Sequence, residues 1–313
     1  MFEVKTVGWD LYFNSFKDSF DWMIFDNVKY ANLLHSEKIH YIVNDENGVI
    51  CGFALDVIGA EVTQLPIGFY PYNQILRHKS VTKNSKRSID GEKFLIHSLV
   101  KKFGKVSFIS SPKNPDIRSS LFLDYDHPEL SVIINLKYTA SLAIGYEQAL
   151  EGIRSNYKKR RKQAIKKAMN LNYLVSEKYS IGELKNMYVS TFARQGISVD
   201  QNELEKLSSI VDFAEKNHGY VVIVRDSKSV ASAAAVCLTD RDTAYSIFIL
   251  NDADKIVDGC ASLCVDAAID RATSLGLSKF DFVGANSPGR GDFKLSFGAQ
   301  LEPYYHVRVS IEN

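Results

Sequence analysis

The sequence predicts a mixed α/β protein in which one structural unit occurs twice, and two pairs of similar stretches carry this prediction. "IHYIVNDENGVICGFAL" (39–55) and "GYVVIVRDSKSVASAAAV" (219–236) each have the pattern of a strand, a polar turn and a second strand. "SLVKKFGKVSFISSPKN" (98–114) and "DRATSLGLSKFDFVGANSPG" (270–289) each end a helix at a glycine, continue as an apolar strand and stop at Ser-Pro. Because both pairs occur in the same order at similar spacing, we interpret the chain as two copies of one unit.

The joint between the two copies is predicted near residue 140. It follows the apolar strand "LSVIINLKY" (130–138) and precedes a helix expected to begin near Ile144. The predicted domains are therefore residues 1–140 and 141–313. Since no Pro/Gly/Ser-rich linker separates them, we expect the two domains to pack side by side.

Composition and charge exclude several classes of protein. The 313 residues are 45% apolar and carry a formal net charge of +1, so no global field draws the chain to nucleic acid or to a membrane. The N-terminus lacks the apolar segment of a signal peptide, and no run approaches the roughly 18 apolar residues of a membrane span. The four cysteines lack metal-ligand spacing. We expect a cytoplasmic protein with buried thiols, no bound metal and no membrane span; its oligomeric state is left open.

The stretch "QLPIGFYPYNQI" (64–75) is predicted to be a loop, because Pro66 and Pro71 interrupt regular structure. Three large rings lie on it: Phe69, Tyr70 and Tyr72. Either these rings anchor the loop to the core, or they form one wall of a binding cleft. In the second case Tyr70 is a candidate substrate contact.

A basic segment, "IRSNYKKRRKQAIKKAMNLN" (153–172), is predicted to be one helix with eight Lys or Arg and no acidic residue. At 100° per residue, Arg160 and Arg161 flank the apolar stripe that runs from Ile153 to Ala168. At least one guanidinium therefore faces the protein body, where it needs an anionic partner. That partner is either a phosphate of a ligand or a buried carboxylate. The outward lysines could also contact nucleic-acid phosphates.

A second candidate ligand site lies in residues 243–276, which are predicted to form a strand, a polar loop and a helix that ends at Gly276. Asp258 is the predicted N-cap of this helix. The unpaired N–H groups of a helix N-terminus suit a pyrophosphate, and Gly259 would permit close approach of the backbone. The candidate cofactor-binding residues are Asp258, Gly259, Cys260, Ala261 and Ser262.

Three stretches together resemble the GNAT acyltransferase superfamily in its tandem form, and in particular the FemAB-like and BioF2-like acyltransferases. They are "NYKKRRKQAIKKA", "TFARQGI" (191–197) and "FDFVGANSPGRGDFKLSFGA" (280–299). The resemblance covers nearly the whole chain, firmly in the C-terminal half and loosely in the first 140 residues. It implies two tandem GNAT-like domains, of which the N-terminal one is degenerate and the C-terminal one carries the donor cleft. It also implies transfer of an acyl group to an amine, from acyl-CoA in some members and from aminoacyl-tRNA in others.

The pyrophosphate loop of the superfamily is usually Gln/Arg-x-x-Gly-x-Gly/Ala. Gly259, Cys260 and Ala261 match its second part, but Ile256 stands at its first position. From the resemblance we expect an acyl-CoA donor, acetyl-CoA foremost, and an amine acceptor of the cell-envelope or nucleotide-sugar type. One alternative is a Fem-type ligase of peptidoglycan bridges, for which aminoacyl-tRNA would be a partner. Others are a non-catalytic GNAT-fold binding module and an RNA-binding protein.

The resemblance places the donor between two strands that diverge near Leu250 and Gly284. Lys294 would then offer its charge to a phosphate or to the tetrahedral intermediate, unless it is a surface lysine between two buried rings. Several possible general bases lie within reach, and nothing in the sequence separates them: Asp281, Asp292, Glu302, Tyr304 and Tyr305. The candidate catalytic residues are Lys294, Asp281 and Tyr304. The candidate substrate contacts are Arg160, Arg161, Phe293 and Tyr70.

Overall fold

The computed structural model describes residues 1–34, 37–58, 61–62, 69–82, 85–145 and 150–312. These divide into two compact units, one formed by residues 1–138 and 303–313 and the other by residues 139–302. The predicted boundary near residue 140 stays a prediction, since compactness alone defines these units. Residues 303–313, which were predicted to belong to the second domain, lie in the first unit.

The two units alternate helices and strands along the chain. The strands are β1 (Glu3–Val7), β2 (Glu37–Asp45), β3 (Gly48–Ile58), β4 (Glu61–Val62), β5 (Leu76–Arg77), β6 (Lys105–Ile109), β7 (Leu130–Ala143), β8 (Leu174–Ser176), β9 (Gly219–Arg225), β10 (Ala231–Thr239), β11 (Thr243–Asn251), β12 (Lys279–Asp281) and β13 (Gln300–Ile311). The α-helices are α1 (Trp9–Phe16), α2 (Val28–Leu33), α3 (Lys86–Phe103), α4 (Arg118–Leu121), α5 (Leu123–Asp126), α6 (Leu150–Ser155), α7 (Lys159–Asn170), α8 (Ile181–Ala193), α9 (Gln201–Phe213), α10 (Cys260–Ser274) and α11 (Pro288–Leu295).

The first unit is built on the predicted hairpin, β2–β3, which is the centre of an antiparallel sheet in the order β1-β2-β3-β4 with β5 also paired to β3. Helix α3 lies on this sheet. Ser85 caps its N-terminus by accepting the N–H of Ser88, and Gly104 ends it with a φ of +75°, a conformation that favours glycine. The side chains between them bury an apolar stripe, and β6 then pairs antiparallel with β13.

The second unit contains the other predicted hairpin, β9–β10, in the strand order β7-β12-β11-β10-β9-β8. Among the described strand pairs that include β9, β10 or β11, the β11–β12 pair is parallel and the others are antiparallel. Strands β9 and β10 are buried along nearly their whole length, as expected for strands covered on both faces. Helix α10 packs on the sheet through small and aliphatic residues, while α8 contacts β11 through Tyr188 against Phe248.

One sequence prediction of helix bounds needs correction. The basic segment forms two helices, α6 and α7, because the chain leaves the helical path between them, where the N–H of Lys158 donates to the carbonyl of Ser296. Residues 288–295, inside the stretch 280–299 that carries the family resemblance, form helix α11, which has Pro288 in its first turn. Among the described helices, none combines the length and the apolar composition needed to cross a bilayer.

The rings of the predicted loop are buried: Phe69, Tyr70 and Tyr72 are each at most 5% exposed. Pro66 and its neighbours at 63–68 lie outside the described residues. The four cysteines are buried free thiols.

Candidate functional site

Strands β11 and β12 separate after a short parallel pairing. They pair at Thr243–Lys279, Ala244–Phe280 and Tyr245–Asp281, after which β12 ends while β11 continues to Asn251. The register of β11 against β10 also shifts between residues 246 and 248, which is a β-bulge. Beyond Tyr245, the edge of β11 that faced β12 therefore has no strand partner among the described residues. The resemblance implied strands that diverge near Leu250 and Gly284; the parallel pairing ends earlier, at Tyr245 and Asp281.

Side-chain hydrogen bonds fix the conformation of the turn that follows β12. Asp281 is 2% exposed, and its Oδ1 accepts the hydroxyl of Thr139 at 2.5 Å and the N–H of Val283 at 2.8 Å. The N–H of Gly284 donates to the same threonine hydroxyl at 3.1 Å. Val283 has a φ of +52° and Gly284 a φ of +72°. A left-handed β-branched residue is strained and persists only where its surroundings fix it.

Lys294, on α11, holds this turn through three backbone carbonyls. Its Nζ lies 2.8 Å from the carbonyl oxygens of Phe282 and Val283, and it also donates to the carbonyl of Gly284. Burial lowers the pKa of Lys294 from 10.5 to about 8, and Asp281 opposes that shift. The side chain is therefore an ammonium at pH 7, with three N–H groups for three carbonyls.

This geometry corrects the role expected of Lys294 and of Asp281. The ammonium of Lys294 does not extend toward a ligand, because its hydrogens are committed to the turn. The carboxylate of Asp281 holds the same turn from its other side. Both residues thus position the backbone at 282–284.

Arg161 is the one predicted ligand contact whose charge is buried. It is 8% exposed, its Nε donates to Oγ of Ser296 at 2.8 Å, and its Nη1 donates to Oγ of Ser262. The guanidinium carbon lies 4.2 Å from the centre of the Phe293 ring and 4.8 Å from that of Phe297. Burial and the neighbouring Arg160 lower the pKa of Arg161 to about 10. No carboxylate of the described residues pairs with it.

The start of α10 lies against α7. Gly259 has a φ of +83°, and a Cβ there would lie 2.2 Å from the carbonyl oxygen of Ala164. A glycine is therefore required here because α7 packs closely against it. The sequence analysis had instead explained Gly259 by the close approach of a ligand. Cys260, Ala261 and Ser262 are buried, and of these Ser262 contacts Arg161.

Asp258 is not the N-cap of α10, which is Gly259. The carboxylate of Asp258 accepts the hydroxyl of Tyr173 at 3.0 Å and lies 3.6 Å from Nζ of Lys167. The side chain of Ile256 lies outside the described residues.

The remaining predicted site residues lie elsewhere. Arg160 is half-exposed and pairs with Asp292. Tyr70 and Tyr304 are buried in the first unit: the hydroxyl of Tyr70 donates to the carbonyl of Phe25, and the ring of Tyr304 is edge-on to that of Tyr72 at 5.4 Å. For the three aromatic residues of the loop, anchoring to the core is thus the interpretation that the contacts support.

Sequence analysis missed the polar residues that hold this site. Thr139 and Ser296 were not singled out, although Ser296 lies inside the stretch 280–299 and accepts a hydrogen bond from the guanidinium of Arg161. Ser296 is fully buried, and burial is the property that a single sequence does not display for serine.

The fold of the chain, with two mixed α/β units and parting parallel strands in the second, is the tandem GNAT-like fold of the FemAB type. No family model and no curated protein matches the chain. Among solved structures, FemX is similar with a TM-score of 0.68 at 10% identity, over 97% of this chain and 96% of that one. A tandem GNAT protein from the clavulanic acid biosynthesis pathway has a TM-score of 0.56 at 10% identity, over 99% and 98%. L-PGS from Bacillus licheniformis has a TM-score of 0.51 at 11% identity, over 92% of each chain.

Proposed function

We propose that this protein is an acyltransferase that moves an acyl group from a phosphate-bearing carrier to an amine. The observation that carries the proposal is the buried guanidinium of Arg161, which contacts hydroxyls and rings but forms no ion pair with a carboxylate in the part of the chain that the structure describes. In this proposal the carrier phosphate binds at Arg161, and the acyl carbonyl lies between β11 and the turn at 282–284.

Electrostatics favours an anion beside Arg161. A buried charge is costly unless it is paired, and the N-terminus of α10 adds a partial positive charge at Ser262, which Arg161 contacts. A bound phosphate would compensate both charges at once. The rings of Phe293 and Phe297 hold the guanidinium plane in place, so that little entropy is lost when the anion binds.

The edge of β11 beyond its pairing with β12 has groups that acyl transfer to an amine requires. An amine attacks the acyl carbonyl, the carbon–nitrogen bond forms, and the bond to the sulfur or oxygen of the carrier breaks. The leaving group takes up a proton and the amine releases one. Beyond Tyr245, β11 has no β12 partner among the described residues, and a backbone N–H on that edge would donate to the oxyanion. Lys294 and Asp281 act as positioning residues, because their hydrogen bonds fix the turn at 282–284 on the other side of the proposed acyl site.

Acyl-CoA is the first donor to test, and acetyl-CoA the first acyl-CoA. One protein of similar fold, the tandem GNAT protein, is described in a form without AcCoA. The acceptor that we propose is an amine of a cell-envelope or nucleotide-sugar compound, on the resemblance alone.

The test measures acetyl-CoA binding and acetyl transfer in the wild type and two variants. Arg161→Met should weaken binding by about 10- to 100-fold, the equivalent of the roughly 1.5–3 kcal/mol of a charged hydrogen bond. Arg160→Met, at the exposed neighbour, is the matched control and should bind as the wild type does. Thiol release in the presence of an amine panel reports transfer. If both variants bind equally well, the proposal fails; binding without thiol release would identify a non-catalytic module.

An aminoacyl-tRNA donor is the second candidate, and the basic face of α7 favours it. Lys159, Lys162 and Lys166 are exposed on the helix that carries Arg161, and a polynucleotide has enough phosphates to reach them all. Replacing these three lysines by glutamine should reduce the slope of log K against log salt by about 2 for tRNA, and leave CoA affinity unchanged. An unchanged slope would exclude this face as a tRNA contact.

A further inference from the structure

Three side chains of types that can bind metal ions come together in the first unit, whereas Arg161 belongs to the second unit. His97 is on α3, His127 follows α5, and Glu129 precedes β7. Nε2 of His97 lies 3.6 Å from Oε1 of Glu129, and Nδ1 of His127 lies 3.8 Å from the same oxygen. One ligand atom from each residue lies within 4.8 Å of the other two.

These distances are too long for hydrogen bonds and close to those between the ligands of one ion. Ligand atoms of a tetrahedral zinc ion, with bonds of about 2.1 Å, are roughly 3.4 Å apart. Nε2 of His97 is buried and has no hydrogen-bond partner among the described residues. A buried polar atom without a partner indicates that a group is missing from its surroundings.

We propose that His97, His127 and Glu129 bind one divalent transition-metal ion of the zinc class. Two imidazoles and one carboxylate favour Zn²⁺, Co²⁺ or Ni²⁺ over Mg²⁺ and Ca²⁺, which prefer ligand sets made of oxygen. Three protein ligands leave a fourth position for water. The sequence analysis predicted no metal, because spacing along the chain does not relate His97 to residues thirty positions later.

Binding requires a local change in the two imidazoles. Their rings are stacked, with centres 3.7 Å apart and planes 16° apart. An ion lies near the plane of each imidazole that binds it, so both rings must turn out of the stack. His127 is about one-third exposed and has room to turn. The bound ion would fasten α3 to the segment between α5 and β7.

Titration of the chelator-treated full chain with Zn²⁺ tests the proposal. We expect one ion per chain, and Co²⁺ should give the visible absorption of a site with nitrogen and oxygen ligands. His127→Gln and Glu129→Gln should each reduce affinity at least tenfold, with unfolding in EDTA unchanged from the wild type. His78→Gln, at a partly exposed histidine of the same unit, is the control and should keep wild-type affinity.

Three results would overturn the site. They are the absence of saturable Zn²⁺ binding at about 1 mM, wild-type affinity in the His127→Gln/Glu129→Gln double variant, and an equal loss of affinity in the His78→Gln control. None of them bears on acyl transfer, because the ligand residues belong to a different unit from Arg161.

Discussion

Two arginines, one in each unit, are buried to a similar extent in opposite surroundings. Arg77 in the first unit is 5% exposed, and its Nε and Nη2 donate to both carboxylate oxygens of Asp21 at 2.8 and 3.1 Å. Arg161 in the second unit is 8% exposed and has two serine hydroxyls and two rings instead. Burial lowers the pKa of both, but Asp21 reverses the shift for Arg77 and leaves its pKa raised, whereas the pKa of Arg161 falls to about 10.

This difference separates a structural ion pair from a candidate anion site. The bidentate pair of Arg77 and Asp21 satisfies its own charges, so nothing further is required of a ligand. Arg161 has no carboxylate within ion-pair distance among the described residues, and the charge of Asp292 offsets its own only in part, so a phosphate could neutralise it. Removing the guanidinium should therefore destabilise the fold far more at Arg77 than at Arg161.

The largest expected effect is at Arg77. Arg77→Met leaves the carboxylate of Asp21 buried without its partner and should lower the free energy of unfolding by about 3–5 kcal/mol. Arg161→Met removes a charge that forms no ion pair with the described residues, so its free energy of unfolding should stay within about 1 kcal/mol of the wild type. Urea denaturation at pH 7 measures both. An equal loss of unfolding free energy in the two variants would contradict the distinction between a structural ion pair at Arg77 and an anion site at Arg161.

The second effect concerns Lys294, a buried cation with carbonyl partners. Its folded pKa, about 8, is below the ordinary 10.5, so the unfolded chain holds the proton more tightly between these values. Stability from this group therefore rises with pH from 8 to 10.5, and the full penalty of burying the charge is present below pH 8. Relative to Lys294→Met, the wild type should gain up to about 3 kcal/mol over this window.

Unfolding free energies of wild type and Lys294→Met at pH 7, 8, 9 and 10 measure the gain. The difference between the two proteins isolates Lys294 from the other groups that titrate there. A difference that stays flat or falls with pH would contradict the burial of the ammonium.

Local sequence signals were enough to predict the helix ends and hairpins on which most of the fold is built. Gly104 and Gly276 both have a φ near +75° at the ends of α3 and α10, where a following strand was predicted. The two hairpins followed from polar turns between apolar runs. These features depend on residues close together in the chain, so one sequence contains the information.

The site depended on contacts that the sequence does not encode locally. The helical wheel placed Arg160 and Arg161 on opposite edges of one stripe, and only the packed structure shows that Arg161 turns inward to Ser262 and Ser296. The three carbonyls that bind Lys294 lie ten to twelve residues before it, across a turn with a left-handed valine. Valine is disfavoured in that conformation, so no propensity argument predicts it.

A smaller effect is expected where an ion pair is only partly buried. Glu183 caps α8 at Ser180 and pairs with Arg225 at 2.6 Å. The hydrogen bond from Arg225 lowers the pKa of Glu183 from 4.5 to about 2, with burial opposing it. The pair therefore stabilises the fold above pH 4.5 and ceases to do so as the pH falls through 2. Because solvent screens it, Glu183→Gln should cost about 1 kcal/mol at pH 7.

Acid titration of the unfolding free energy checks this sign. The gap between wild type and Glu183→Gln should close as the pH approaches 2. Asp212→Asn, which breaks an exposed pair with Lys216, serves as the control and should show a much smaller gap. A gap that widens in acid would refute the linkage.

The smallest effect on stability is expected at Arg160. This residue tests how much of the difference between Arg77 and Arg161 comes from neighbouring charges. Arg160 and Asp292 are both about half exposed, so Arg160→Met should leave the unfolding transition unchanged within the scatter of the measurement. Arg160 nevertheless contributes to the low pKa of Arg161, since the two cations repel. Removing Arg160 should therefore raise the pKa of Arg161 while the anion affinity changes little, because the buried guanidinium is charged at pH 7 in both proteins. Guanidinium NMR of Arg161 at alkaline pH measures this shift, and an unchanged pKa would mean that burial alone sets it.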